Sequence, residues 1–578
     1  MSMGSKTLGL IISQVEPYKR RFAFTGILIL VLSSLVWIRP ALLRHAVDVE
    51  IANSDYYGLI RVFSAIILIL VIESLLRYRA TYLANWVAQS VSLDLRSKLF
   101  KHIVSFRLRF FDRTPVGKLV TRLVSDIDGI ANVFSNGLLN AIGDILTLFV
   151  VLLTMMIIDF KLTLIVIIPI PILLLASRVF QKHIKKSFSD VRNQVSKMNE
   201  FVQEHVTGMH IVQSFSRQDI EADKFAEINA SHREANISSI LAFSIFFPVV
   251  EMLSATSVAL LLWLGIGGVA AGDLTLGVVL QFILYVFMLY RPIRQLADRF
   301  NVLQMGVVNA ERVFELIQTD EAISDKGTTE VDVFNGLIEF KGVWFAYNEE
   351  NWVLKDLNLT INPGETVGFV GSTGAGKSTI INLLSRFYEF QKGSIKIDGV
   401  DIREIPLSQL RSNVGVVQQE VFLMSDTLRA NVTLHDEKIS DKEIWDAADA
   451  VGATDFISKY SDKLDLQVRE RGAMLSVGQR QLIAFMRAYV SSPSILILDE
   501  ATSSIDSESE KLIQIATESI TEGRTSLIVA HRLSTIKNAD KIFVIEDGVV
   551  AESGTHEELL SLGGVYANLT TPHSSGNL

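Results

Sequence analysis

Residues Gly371-Ser-Thr-Gly-Ala-Gly376-Lys377-Ser378 decide the fold of the second half of the chain. They fit the pattern G-x-x-x-x-G-K-[ST] of a phosphate-binding loop. An apolar run precedes the loop and a helical pattern follows it, so backbone N–H groups at a helix start can cradle phosphates that glycine lets approach closely. The sequence predicts that Lys377 neutralises nucleotide phosphates and that Ser378 ligates Mg²⁺. The residues predicted to bind the nucleotide here are Gly371, Ser372, Thr373, Gly374, Ala375, Gly376, Lys377, Ser378 and Thr379.

A second element, Ile495 to Leu498, is an apolar run that ends in Asp499 and Glu500. This pattern is typical of a buried strand that emerges at the ligand-binding edge of a parallel sheet. One carboxylate can hold a metal ion while the next polarises a water molecule. We therefore predict that Asp499 is a metal ligand and that Glu500 is catalytic.

Further β-rich runs surround these two motifs and alternate with helical patterns, which indicates an α/β domain around a largely parallel sheet. We assign this domain to residues 336–570, after a polar linker at 318–335 and before a flexible tail at 571–578. The predicted strands are Leu337–Phe340, Glu365–Val370, Ser394–Ile397, Val414–Val417, Ser494–Leu498, Thr525–Val529 and Lys541–Ile545.

The first half of the chain has the composition of a membrane domain. The 578 residues are 49% hydrophobic and only 20% charged, and the mean hydropathy is +0.34. The net charge of −9 gives no overall basic field for nucleic acid, and the absence of cysteine excludes disulfides and thiol chemistry. Residues 1–317 form the predicted membrane domain, whose six membrane-spanning helices cover residues 22–43, 59–78, 137–158, 162–180, 240–264 and 276–290.

The connecting segments predict the orientation of these spans. The segments after spans two and four are long and rich in lysine and arginine, whereas the others are short and nearly free of them. Positively charged segments remain cytoplasmic, so both termini and the second domain should lie in the cytoplasm, beneath the cell (inner) membrane. The helical pattern continues through both long segments, which we expect to turn near 114–117 and 207–209, within coupling loops at about 105–125 and 200–217.

Residues Leu475 to Gln481 look like the signature motif of ATP-binding cassette proteins. Together with the six spans and the stretch Phe110 to Val120, they make the whole chain resemble a half-transporter of the ABC exporter family, of the lipid and multidrug type. The resemblance implies ATP and Mg²⁺ as cofactors and an ATPase coupled to transport. It further implies that Tyr347 stacks on adenine, that Gln419 contacts Mg²⁺ and assists catalysis, that His531 senses the γ-phosphate, and that Ser476, Gly478, Gln479 and Asp506 complete the nucleotide site.

In this family a site on one chain is completed by the signature motif of another, so the resemblance implies a dimer that alternates between inward-open and outward-open states. The chain departs from the family pattern at Val477, where glycine is usual, and at residues 468–472. Ser476 and Gly478 are retained. We favour a homodimer, and a heterodimer with a second half-transporter stays open.

The sequence leaves the cargo open among lipid, drug and hydrophobic peptide. Glu73, Asp144 and Glu251 are the main charges within the spans, where each could face a cationic group or bond to a neighbouring helix. The spans argue against a soluble cassette ATPase that acts on nucleic acid, and Glu500 and His531 argue against a nonhydrolytic regulatory subunit. An ATP-gated channel shares all of these motifs.

Overall fold

The computed structural model describes residues 3–323, 325, 327–348, 351–500, 507–530 and 536–570. These residues form two compact units. The first contains the chain up to Val104 and Pro115–Asp320, and the second contains Ser105–Thr114 and the chain from Glu321 onward.

The first unit is helical. Five helical segments are long and apolar enough to cross a membrane: Glu16–Ile51, Tyr56–Val104, Val116–Ile158, Phe160–Thr207 and Gln218–Ala271. A sixth, shorter apolar segment, Leu276–Pro292, begins the helix Leu276–Gln318. At 1.5 Å per residue, the 49 residues of Tyr56–Val104 extend for about 74 Å, well beyond a hydrocarbon core of about 30 Å.

Two of the segments predicted as single spans are interrupted. The first consists of the helices Lys19–Leu35 and Ile38–His45, which are separated at Val36 and Trp37. The fourth consists of Phe160–Ile167 and Ile170–Thr207, with Pro169 between them. Proline has no N–H to donate to the preceding turn, which accounts for the second interruption.

The first unit also contains shorter α-helices, of which Leu139–Ile158 has 20 residues, and π-helical stretches. They are Met3–Ser13, Ala46–Ile51, Val116–Thr121, Arg122–Asp126, Ile127–Asn132, Val133–Leu138, Leu139–Ile158 and Met209–Ser214. Buried side chains of the last long helix pack this unit together, and several of them form hydrogen bonds within it. The Tyr290 hydroxyl lies 2.7 Å from Ser257 Oγ, and Gln281 donates to the Tyr285 hydroxyl at 2.9 Å.

The second unit contains two sheets. The strands are β1 Ile338–Phe345, β2 Leu354–Ile361, β3 Thr366–Val370, β4 Lys392–Ile397, β5 Val400–Asp401, β6 Val414–Val417, β7 Ile495–Glu500, β8 Thr525–Ala530, β9 Lys541–Glu546 and β10 Val549–Gly554. A six-stranded sheet has the order β10-β9-β3-β8-β7-β6 and is parallel except for the pair β10-β9. A four-stranded antiparallel sheet has the order β2-β1-β4-β5.

The largely parallel sheet predicted from the sequence is present, but two of the predicted strands belong to the antiparallel sheet instead. Leu337–Phe340 and Ser394–Ile397 overlap β1 and β4, which pair with each other in the antiparallel sheet. The helices that cover the sheets are Leu108–Arg113, Lys377–Leu384, Leu407–Asn413, Leu428–Thr433, Asp441–Ala450, Thr454–Ser458, Val477–Ser491, Ser507–Thr521, His556–Leu562 and Val565–Thr570.

Candidate nucleotide-binding and hydrolysis site

The parallel register brings the predicted catalytic motifs to one edge of the six-stranded sheet. β3, β8, β7 and β6 are mutually parallel, so their carboxyl ends lie on the same side. The phosphate-binding loop follows β3, Asp499 and Glu500 end β7, and Gln419 comes two residues after β6. In open α/β sheets this edge is where ligands bind.

The loop at 371–376 adopts a backbone conformation that depends on glycine. Gly371, Gly374 and Gly376 have φ values of +153°, +86° and +109°. A β-carbon on Gly371 would collide with the backbone carbonyl oxygen of Ile545, whereas one on Gly374 would meet no atom within 4 Å. Gly371 is thus required by close packing, and Gly374 only by its left-handed backbone.

Lys377 begins the helix that leaves the loop, and its side chain is buried at 6% exposure. Its ammonium donates to the carbonyl oxygens of Gly371 and Ser372 at 2.7 and 2.9 Å. Burial lowers the pKa of this ammonium, and the negative charge of Asp499 partly offsets that effect. The Lys377 ammonium is therefore held across the loop, close enough to the Asp499 carboxylate of β7 for the two charges to attract each other.

The acidic end of β7 is fixed by its neighbours. Asp499 and Glu500 pair in register with Val529 and Ala530 of β8. For Glu500 the structure describes the backbone and not the side chain. Gln419 is exposed, beyond the end of β6. These positions bring an acid, an amide and the loop to one edge of the sheet.

Tyr347 packs closely against the protein and is half-buried. Its ring contacts Phe345 and Tyr388 edge-on, with centroid distances of 4.8 and 5.0 Å. Its hydroxyl lies 3.2 Å from Thr379 Oγ1 and accepts a hydrogen bond from Asn382 at 3.3 Å. The tyrosine is therefore tied to the helix that follows the phosphate-binding loop, and stacking on adenine stays a prediction.

Two residues that contact Tyr347 or the adjacent ring of Tyr388 were not predicted from the sequence. Arg113 donates to the carbonyl oxygen of Tyr347 at 3.1 Å and to Asn348 Oδ1 at 2.9 Å. Asp112 accepts a hydrogen bond from the hydroxyl of Tyr388. Both lie in the stretch Phe110 to Val120 that suggested the family resemblance, but nothing in that stretch names its partners.

The signature residues lie at the start of the helix Val477–Ser491. Ser476 caps this helix: its Oγ accepts from the Gln479 N–H at 3.1 Å, and Gln479 Oε1 accepts from the Ser476 N–H at 3.0 Å. Ser476 and Val477 are exposed, and Gly478 is buried. Gln479 thus has a capping role that the sequence analysis did not predict. Within the described ranges, no hydrogen bond joins Ser476 to residues 371–378.

Two predicted site residues, Asp506 and His531, lie outside the described residues. The donor set proposed for Mg²⁺ consists of the Ser378 hydroxyl, the Gln419 amide and the Asp499 carboxylate. Oxygen donors with a single carboxylate suit Mg²⁺ that is shared with nucleotide phosphates. Among the described residues, no group of three or more acidic, histidine or cysteine side chains could hold a metal without such help.

Comparison with known proteins identifies the family. Residues 22–293 match the ABC transporter transmembrane region, and residues 354–503 match the ABC transporter family. YknV of Bacillus subtilis strain 168, an uncharacterised ABC transporter ATP-binding protein, is 36% identical over 568 residues, or 97% of this chain and 93% of that protein. The chain belongs to the ABC transporter family.

Other relatives of this ABC transporter are similarly close. YgaD of Bacillus subtilis, provisionally named a multidrug export ATP-binding/permease protein, is 36% identical over 96% of this chain and 97% of its own length. A solved structure of a bacterial Atm1-family ABC exporter with ATP bound aligns with a TM-score of 0.77 and 26% identity, covering 97% of this chain and 99% of that one.

The predicted fold class is therefore confirmed: a helical membrane domain is followed by an α/β ATP-binding cassette. The protein is embedded in a membrane, binds ATP and is an ATPase coupled to export. The roles of individual site residues stay predictions.

Alanine substitutions at two glycines of the loop should separate packing from backbone strain. Gly371→Ala should abolish ATP binding by the ABC transporter, because the new methyl group would collide with the Ile545 carbonyl. Gly374→Ala should cost about 1–2 kcal/mol through its left-handed backbone and leave measurable binding. Equilibrium ATP binding and thermal unfolding of the full chain would check this. Equal losses of binding in the two variants would contradict the packing argument.

Substitutions at Lys377 and Tyr347 should affect nucleotide binding unequally. Lys377→Ala should weaken ATP binding by about 10- to 150-fold, because a charge-assisted interaction with phosphate is lost. Tyr347→Ala should raise the ATP concentration needed by about 2- to 12-fold through lost stacking. Tyr347→Phe is the control that removes only the hydroxyl contacts with Thr379 and Asn382. Equal and negligible effects of the two alanine variants on ATP titrations would contradict the proposed nucleotide pose.

Proposed function

We propose that this ABC transporter works as a homodimer that uses ATP to export or flip a hydrophobic or amphipathic molecule by alternating access. The observation that carries the proposal is the assembly of the phosphate-binding loop, Asp499–Glu500 and Gln419 at one sheet edge, on a chain with membrane-spanning helices. The multidrug export name of YgaD supports a hydrophobic cargo. Lipid, drug and hydrophobic peptide all belong to this class.

Each predicted site residue has a proposed role. The loop N–H groups and Lys377 bind the ATP phosphates, and Tyr347 stacks on adenine. Ser378, Gln419 and Asp499 would hold Mg²⁺, which when bound neutralises phosphate charge. Glu500 orients and activates the attacking water, His531 senses the γ-phosphate, and Asp506 helps to complete the nucleotide site.

A second chain supplies the rest of the site. Ser476 is exposed at the start of a 15-residue helix, where the positive end of the helix dipole favours a negatively charged ligand. We propose that Ser476, Gly478 and Gln479 of one chain meet the γ-phosphate held by the loop of the other. ATP would then join two cassettes, and hydrolysis would release them.

The same proposal covers location and domain bounds. The basic segments after spans two and four favour an inner-membrane protein whose termini and cassette are cytoplasmic. The proposed membrane domain extends over 1–317 and the cassette over 336–570, with coupling loops near 105–125 and 200–217. The structure groups Ser105–Thr114 with the cassette unit.

Glu500→Gln should retain ATP binding and lose turnover. The amide keeps the shape of the carboxylate but cannot act as a base, so steady-state hydrolysis should fall by about 10²- to 10⁴-fold. Glu546→Gln is a matched control, because Glu546 also ends a parallel strand of this sheet and is exposed. Hydrolysis and ATP binding would be measured on purified full-length protein in lipid. Near wild-type hydrolysis by Glu500→Gln would overturn the assignment.

Ser476→Arg should abolish the ATPase activity of the chain expressed alone, because both composite sites of a homodimer lose the γ-phosphate contact. Ser440→Arg is the control: Ser440 is also an exposed N-cap with a capping box, formed with Glu443. Each variant loses about 1 kcal/mol of capping. Only Ser476→Arg should lose hydrolysis, as measured by phosphate release.

The heterodimer is the alternative that a specific residue favours, because Val477 replaces the usual glycine and is 47% exposed. Because the chain has no cysteine, Ser476→Cys combined with Thr373→Cys should form a covalent dimer after ATP addition and oxidation. If the purified chain is an inactive monomer that hydrolyses ATP only with a different half-transporter, the homodimer proposal is wrong and the heterodimer takes its place.

Electrical recording in bilayers would separate a pump from an ATP-gated channel.

A further inference from the structure

The membrane unit contains a cavity of about 360 Å³ among its long helices. Its walls come from five parts of that unit: the helices Lys19–Leu35, Ile38–His45, Tyr56–Val104 and Leu276–Gln318, and the stretch 135–147. The charged residues that line it are Arg39, Arg77, Arg291, Arg299 and Asp144. Ionisable groups within membrane helices are energetically costly, and they commonly mark substrate pathways.

The carboxylates near the cavity are already paired with arginine. Glu73 is buried and lies 3.2 Å from Arg39 Nε. Asp144 lies 3.5 Å from Arg299 Nε, and Arg291 adds its positive charge to the surroundings of the same carboxylate. These pairs account for two arginines, and two more remain.

Arg77 and Arg291 form no ion pair within 4 Å in the part of the chain that the structure describes. Both are exposed in the single chain, and both line the cavity. When Glu73 is counted with its partner Arg39, the described side chains around the cavity hold an excess of two positive charges. An excess of this sign favours an anion.

The other walls combine polar and apolar groups. Thr147 donates to Ser33 Oγ at 3.4 Å, Ser33 donates to the Gly143 carbonyl at 3.3 Å, and Arg299 Nη1 donates to the Asn136 carbonyl at 2.9 Å. Ile29, Leu32 and Met288 line the same cavity. The cavity therefore offers a charged, hydrogen-bonding part and a hydrophobic part, which together suit an amphiphile.

We propose that this cavity binds the acidic group, a phosphate or carboxylate, of an amphipathic substrate, and that Arg77 and Arg291 are its charge-recognising residues. Guanidinium groups bind phosphate and carboxylate through two parallel N–H donors, and their planar geometry makes the contact specific. The inference rests on the proposed export function, because it names the class of molecule exported. Recognition of a cation by Glu73 or Asp144 is disfavoured because both carboxylates face arginines.

Three single-chain amphiphiles with the same C12 tail test the proposal: dodecyl phosphate, dodecyltrimethylammonium and dodecyl maltoside. Binding to the full-length protein in phosphatidylcholine nanodiscs would be measured without ATP, below the micellar concentration, and ATPase stimulation would be measured separately. Dodecyl phosphate should bind at least about tenfold more tightly than the other two, as expected for a charge-assisted contact. Inorganic phosphate alone should bind weakly, because it lacks the tail; equal binding of inorganic phosphate would identify a free-anion site and overturn the amphiphile proposal.

Substitutions then locate the contact. The double variant Arg77→Gln and Arg291→Gln should lose this preference for dodecyl phosphate, and Arg77→Lys with Arg291→Lys should keep part of it. Arg79→Gln is the matched control, because Arg79 is an exposed arginine of the same helix that does not line the cavity. Unchanged preference in the double glutamine variant, or stronger binding of dodecyltrimethylammonium by the wild type, would overturn the inference. Basal ATPase activity distinguishes failure of the proposed function from failure of this inference. Its absence in the wild-type protein would refute the proposed function. Normal basal ATPase activity without a preference for the anionic amphiphile would refute only this inference.

Discussion

The cassette depends on the parallel register of β3, β8, β7 and β6. A triphosphate carries several negative charges, and no single side chain can hold them, so the chain must bring N–H groups, a cation and oxygen ligands together from distant positions. Parallel strands achieve this because every carboxyl end lies at one edge. A slip of one residue between β7 and β8 would turn Asp499 to the opposite face of the sheet.

The membrane unit meets a different constraint, because charges cannot be left unpaired in hydrocarbon without a substantial cost. Glu73 and Asp144 lie beside Arg39 and Arg299, whose positive charges offset part of that cost. Glu251 is exposed in the single chain and has no ion pair among the described residues. The phenylalanines of this unit differ in burial. Phe282 and Phe246 are buried in the helical core, whereas Phe287 is 55% exposed.

Features that depend on contiguous residues could be predicted from the sequence, and features that depend on partners could not. The loop between β3 and the helix Lys377–Leu384, and the strand that carries Asp499 and Glu500, are local patterns, and both have the local structure that the sequence predicts. β2, β5 and β10 were missed, and β1 and β4 were assigned to the wrong sheet, because a short apolar run does not specify its neighbour. The pairs Arg39–Glu73 and Arg299–Asp144 were also missed, since helix rotation decides which charges meet.

The contact between Arg113 and Tyr347 depends on a partner that is distant in the sequence, although each residue lies in a recognisable local motif. The two residues are 234 positions apart, and Arg113 belongs to a ten-residue segment that the fold places with the cassette rather than with the membrane helices on either side of it. Arg113 bonds to the backbone of Tyr347, and Tyr347 bonds to the helix of the phosphate-binding loop. If ATP stacks on Tyr347 as proposed and strengthens its hydrogen bonds, an intact bond between Arg113 and Tyr347 strengthens ATP binding by the same free energy, because linkage is reciprocal. Within the cassette unit, hydrogen bonds therefore run from Arg113 through Tyr347 to Thr379, and they connect the segment 105–114 with the helix that follows the phosphate-binding loop.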